Sequence, residues 1–279
     1  MSETPDRQEL APHGIRPPGI HGGEHLPRVL TWRTVANSAA YLLPHLRAGL
    51  TVLDVGAGPG TLTVDLARRV APGQVTGVVD SAEQAELAAG LAVDEGVANA
   101  DFRVGDVLVL PMPTASVDVV HAHQVLQHAV NPVAAMREMR RVLRPGGILA
   151  ARDADYGAAA WYPTVPGLGR WHEVYRAVHR FDGGEPDAGR ALKAWARQAG
   201  FDDVTSTASI WCFASPAERE WWGLSWAELA GAADFVAEAI TSGAASLTDL
   251  REITAAWQQW WPDPDGWFAL PHGEIIAVR

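Results

Sequence analysis

Three glycines, Gly56, Gly58 and Gly60, alternate within residues 51–63, TVLDVGAGPGTLT, and Asp54 stands two positions before the first of them. Glycines between a strand and a helix let the backbone turn tightly and approach a ligand, and free amides at the helix start can donate to it. The spacing is G-x-G-x-G, with Thr61 where the dinucleotide fingerprint has its third glycine. Asp80 closes the next apolar run. A carboxylate there can accept two hydrogen bonds from a ribose diol, or else cap the following helix. His121, His123 and His128 come next, then Asp153 and Asp155. Imidazole and carboxylate groups on one rim can serve as general bases, hold a substrate hydroxyl, or cap a following segment. His121 and His123 share a strand face and so offer two metal ligands, but His128 lies several residues on, and no metal is expected.

The elements that must position these groups follow from periodicity. Residues 52–55 read as a buried strand and 61–70 as a helix. Residues 74–79 form a second strand, and Ser81 with Gln84 predicts a capping box opening an alanine-rich helix to Gly96. A third strand is expected at 101–105 and a fourth at 116–123, with 124–129 leading away from its carboxyl end. Ligands in open α/β sheets bind outside that end, which places His121, His123 and Gln124 near a reacting centre. Asn131 and Pro132 open the next helix, whose apolar stripe is Met136, Met139 and Leu143. Arg144-Pro145-Gly146-Gly147 stops it and turns into a fifth strand, 148–152, delivering Asp153 and Asp155 to the rim of His123. The alternation predicts a doubly wound α/β fold with a mostly parallel sheet.

The regular pattern breaks at 154–185, where Tyr156, Trp161, Trp171 and Tyr175 stand among prolines and glycines. A helix over 186–199, a sixth strand over 203–212 and a mostly helical stretch over 216–261 follow. Trp222, Trp226 and Leu229 recur at helical spacing, as do Trp257, Trp260 and Trp261. That is a packing stripe first and an apolar cavity lining second. Residues 267–279 supply a last strand, antiparallel beside the fifth. At the other end, 1–27 reads as a flexible arm and 29–46 as an amphipathic helix covering the sheet.

Five ordered motifs carry a family likeness: the glycine loop, Asp80, Gly105-Asp106, residues 118–128 and RPGG within RVLRPGG. Over 29–155 the chain resembles class I S-adenosylmethionine-dependent methyltransferases, and among them it is similar to the group containing the ubiquinone and menaquinone C-methyltransferases. The resemblance implies a seven-stranded sheet with helical insertions after strands five and six. It implies one domain over 28–279, with a cofactor half at 28–153 and acceptor-site or lid insertions at 154–185 and 214–262. The implied cofactor is S-adenosylmethionine, with Arg33, Asp54, Gly56, Ala57, Gly58, Asp80, Ser81, Asp106, Val107 and His123 around it. Asp106 would receive the adenine amino group, Val107 would pack on the ring or donate its amide, and Arg33 and Asn37 would be cofactor neighbours on a helix over the cofactor. Tyr156, Trp161, Trp171 and Tyr175 would contact the acceptor or form a satellite core. His123 is the first choice for a base or acceptor-orienting group, with His128 and Asp153 behind it. Two readings compete: a NAD(P)-dependent oxidoreductase, disfavoured by the absent third glycine and by the Pro-Gly-Gly stretch, and a protein that binds S-adenosylmethionine without methyl transfer.

Composition narrows the partners. The chain has 279 residues, 48% of them hydrophobic, enough for a full core. The formal charge of −11 argues against nucleic acid, whose binding relies on phosphate neutralisation. No run of about 18 apolar residues predicts a membrane span. MSETPDRQEL is polar and acidic, unlike a secretory signal, and Cys212 is the single cysteine, so a reducing cytoplasm is the expected compartment. The expected partner is a small-molecule acceptor, and the sequence leaves a homodimer open.

Overall fold

Unbroken β-branched and aliphatic runs make the centre of the sheet. In the computed structural model, which describes residues 32–279, β1 (Val52–Val55) and β2 (Val75–Val79) are buried at every position. β3 (Ala100–Val104), β4 (Val117–His123) and β5 (Leu143–Ala154) join them in parallel, in the order β3-β2-β1-β4-β5. Strands buried on both faces need helices over both faces, and the connections supply them. β8 (Trp267–Val278) runs antiparallel between β5 and β7 (Asp203–Phe213). The expected arm at 1–27, with His13, His21 and His25, lies outside the described residues, as do 28–31.

Among the described residues the sheet has eight strands where seven were expected. The additional one, β6 (Ala160–Tyr162), comes from the aromatic insertion and pairs with β8 beyond the end of β5. β5 also starts earlier than expected. Leu143 already pairs with Val117, so residues 144–147 belong to the strand, and Gly146 at φ 78° marks an irregular entry to it.

Local sequence explains the helix ends. α1 (Val35–Ser38) is capped by Thr34 and gives way to a 3-10 segment, Ala40–His45, which contains Pro44. A proline lacks the amide that a continuous helix needs there, so the expected single helix over 29–46 is two short pieces in its described part. α2 (Thr61–Val70) packs beside the sheet, and α3 (Ala82–Asp94) starts at Ser81, whose hydroxyl accepts from the Gln84 amide. The expected reciprocal half of that capping box is replaced: Gln84 faces a cavity instead. α4 (Pro132–Val142) opens on the Asn131 cap and buries Met136 and Met139. α5 (Leu168–Phe181) carries Trp171, Tyr175 and Phe181 of the insertion's aromatics. Residues 186–199 form a 3-10 turn, Ala188–Arg190, and then α6 (Leu192–Gln198), rather than one helix. A Cβ at Gly189 would lie 2.6 Å from the Asp153 carbonyl oxygen, so the turn must pass too close to the sheet for a regular helix with side chains. α7 (Pro216–Gly231), α8 (Ala233–Thr241) and α9 (Leu247–Trp260) fill the second insertion.

Three apolar clusters result, one on each face of the parallel sheet and a third, rich in tryptophan, between β8 and the insertion helices.

Candidate active site

Strand order reverses between β1 and β4, and a cavity of about 400 Å³ opens at the carboxyl ends of these strands. At one end lie Gly56 and Gly58, both in the left-handed region at φ 71° and 54°. A Cβ on Gly56 would stand 2.5 Å from Val125 Cγ2, so this floor requires glycine twice over. Val78, Val79 and Val107 form an apolar wall, and Asp80 and Gln84 form its polar edge. A bare backbone cradle, an acid at a strand end and an apolar slot fit an adenosyl group.

Four expected cofactor residues stand behind this lining. Asp54 is buried, and its carboxylate accepts from Thr63 Oγ1 at 2.6 Å and pairs with His121 Nδ1 at 2.7 Å. It therefore ties β1 to α2 and to β4. Ala57 donates its amide to the Val78 carbonyl, and Ser81 caps α3. Asp106 accepts from the Leu108 amide at 2.8 Å, while its neighbour Val107 reaches the cavity.

The middle of the cavity is polar. Gln124 follows β4 with φ 53°, an uncommon conformation for a side chain other than glycine and one concentrated at working sites. Arg33 donates to Gln124 Oε1, which leaves the Gln124 amide group to face His272 Nε2 at 2.9 Å. His123 is buried beside them, and neither of its ring nitrogens has a hydrogen-bond partner among the described residues. Burial, reinforced by Arg33 and Arg152, holds its pKa well below the usual histidine value, so the ring is neutral. Burial likewise brings Arg33 down to about 10.

Of the other two expected bases, His128 lines the cavity but its Nε2 meets Gln127 Nε2 at 3.0 Å. The Ala154 amide donates to Gln127 Oε1, which orients that side chain and makes His128 the acceptor. Asp153 lies outside the lining. It is fully buried and accepts from the Gln127 amide at 3.0 Å, and burial pushes its pKa up to about 7 against backbone hydrogen bonds from 125–127. Asp155 is held by both Nε and a terminal nitrogen of Arg190, at 2.6 and 2.5 Å.

The far end is aromatic: Tyr156, Tyr175, Trp211, Trp222 and Trp226, with Leu229 and Ser225. The Tyr156 and Tyr175 hydroxyls are hydrogen-bonded, and burial pushes Tyr156 up to about 12, so both stay protonated. Trp161 and Trp171 stand outside the lining. Trp171 is packed edge-on against Trp226 and Trp257, and Trp161 stacks on Phe268. The structure thus brings Tyr156 and Tyr175 to the cavity and leaves the two tryptophans in the adjoining core.

Comparison with known proteins decides the family. A family model described as a methyltransferase domain matches residues 46–205, more than half of the chain. This chain belongs to the methyltransferase family. The methyltransferase is 34% identical over 260 residues to an uncharacterized methyltransferase of Schizosaccharomyces pombe, covering 89% of this chain and 91% of that protein. It is 30% identical over 140 residues to the demethylmenaquinone methyltransferase of Listeria monocytogenes, covering 50% of this chain and 55% of that one. It shares its fold with the YcgJ protein of Bacillus subtilis, at a TM-score of 0.57 and 21% identity over 86% of this chain and 97% of that chain. Its mostly parallel α/β sheet is the fold of class I methyltransferases. Among the described residues, no helix is long and apolar enough to cross a membrane.

Several lining residues of the methyltransferase escape sequence reasoning. Trp211 reads only as part of a strand, and Gln127 only as part of a turn. His272, bonded to the lining residue Gln124, lies 148 residues from it in sequence. Trp222, Trp226 and Leu229 do carry a signal, since their helical spacing allows a cavity face as well as a packing face.

Proposed function

We propose that this methyltransferase moves the methyl group of S-adenosylmethionine to a small, largely apolar or aromatic acceptor held against Tyr156, Tyr175, Trp222 and Trp226. The observation that carries this reading is one continuous cavity with a glycine cradle at one end and an aromatic chamber at the other. Bound S-adenosylmethionine supplies an electrophilic methyl carbon. Asp80 receives the ribose hydroxyls, Val107 packs beside the adenine, and Arg33 pairs with the amino-acid carboxylate. His123, between the two ends, accepts a hydrogen bond or the proton from the acceptor. A neutral imidazole of low basicity suits an acceptor whose proton is already acidic. Alignment of the reactants provides most of the acceleration, an effect worth about 7–11 kcal/mol in well-oriented systems. Cys212 as the single cysteine supports work in a reducing cytoplasm.

The first test is calorimetric titration with S-adenosylmethionine, S-adenosylhomocysteine and NAD. Micromolar binding of the first two, weakened about tenfold or more by Asp80→Ala, supports the reading. Preference for NAD would overturn it.

A further inference from the structure

Arg33 is a half-buried cation on the short segment preceding α1. Its Nε has no hydrogen-bond partner among the described residues, and its terminal amine is fixed by Gln124 Oε1. Gln124 can serve as that acceptor only while its amide group points the other way. There it meets His272 Nε2 at 2.9 Å. For His272 to accept at Nε2 its proton must sit on Nδ1, and Nδ1 lies 3.0 Å from the Leu270 carbonyl oxygen, which receives it. The hydrogen bonds therefore run in one direction: Arg33 to Gln124 Oε1, Gln124 amide to His272, His272 to the Leu270 carbonyl. Every member has one compatible orientation. His272 is fully buried, lies against Trp211 with ring centroids 4.5 Å apart, and stacks on His123 at 6.1 Å, so the ring cannot swing away.

From this one-way chain we infer that His272 is a positioning residue for cofactor recognition: acting through Gln124, it aims the Arg33 guanidinium at the carboxylate of the cofactor's amino-acid arm. The inference rests on the assignment of Arg33 to that carboxylate. Its imidazole stays neutral because it is buried and faces Arg152 and Arg33, which keeps Nε2 available as an acceptor.

The test compares S-adenosylhomocysteine, which has the amino-acid arm, with 5′-methylthioadenosine, which lacks it. His272→Phe keeps an aromatic ring in place and removes the acceptor. The expected result is about tenfold weaker binding of S-adenosylhomocysteine with methylthioadenosine unchanged, because one charge-assisted contact loses its aim. Arg33→Ala should separate the two ligands in the same way, and the double variant should lose no more than Arg33→Ala alone. Gln124→Met breaks the chain in its middle and serves as the reading if His272→Phe does not fold. If Arg33→Ala separates the ligands while His272→Phe and Gln124→Met weaken both alike or neither, the role of His272 is overturned. If Arg33→Ala itself does not separate them, the carboxylate assignment falls and the inference falls with it.

Discussion

At the scale of single residues, the site contrasts groups with free valences and groups already engaged. Among the described residues neither ring nitrogen of His123 has a partner, whereas His128 accepts from Gln127 and Asp155 is clamped by Arg190. His123→Ala should therefore lower turnover about 100-fold or more while leaving S-adenosylhomocysteine binding nearly intact, checked by single-turnover rates and calorimetry. Because burial depresses the His123 pKa, the ring stays neutral through ordinary assay pH and is protonated only under acid conditions well below 6.5. A profile of turnover against pH should thus lack an inflection near 6.5, and one there would remove His123 from the role. Gly56 makes a backbone prediction. With φ 71° and Val125 Cγ2 at 2.5 Å from any added Cβ, Gly56→Ala should weaken cofactor binding and cost about 1–3 kcal/mol of stability in a urea titration.

At the scale of elements, what could be read from sequence was what local order encodes. The glycine loop and Asp80 sit directly at the ends of strands whose apolar runs are unmistakable, so their place on one rim was legible before any coordinates. Asp54 carries the same local signal but turns into the sheet toward His121, a choice made by a neighbouring strand. Trp211 and His272 reach the site through the pairing of β7 and β8, and no local pattern announces them. Helical periodicity could not separate Trp171 and Tyr175 either, since residues four apart share a face of α5 and only the packed helices decide which one meets open space. Trp171 sits in the aromatic core, so Trp171→Ala should lower stability by about 3–5 kcal/mol by denaturant titration without a selective effect on cofactor affinity.

At the scale of the whole molecule, stability should carry the signature of a buried acid. Asp153 rises from an ordinary 3.8 to about 7 in the folded chain, so the native state holds a proton that the unfolded state has lost. The stability contributed by that proton is fully present below about pH 4 and is lost as pH rises through 7, at no more than about 1.4 kcal/mol per pH unit. Asp153→Asn keeps an oxygen for the Gln127 amide and removes the titration. Its Tm relative to the parent should increase from pH 5 to pH 7 and then level off. The antiparallel placement of β8 has a consequence of another kind. During synthesis β7 emerges with no partner, since the strand that joins it to β5 is translated after it. Arg33 leaves the ribosome long before His272, which completes the chain of bonds behind it. A nascent chain bearing every recognisable methyltransferase motif therefore still has an unjoined sheet, and if His272 aims Arg33 as proposed, competence for the cofactor should arrive with the translation of β8.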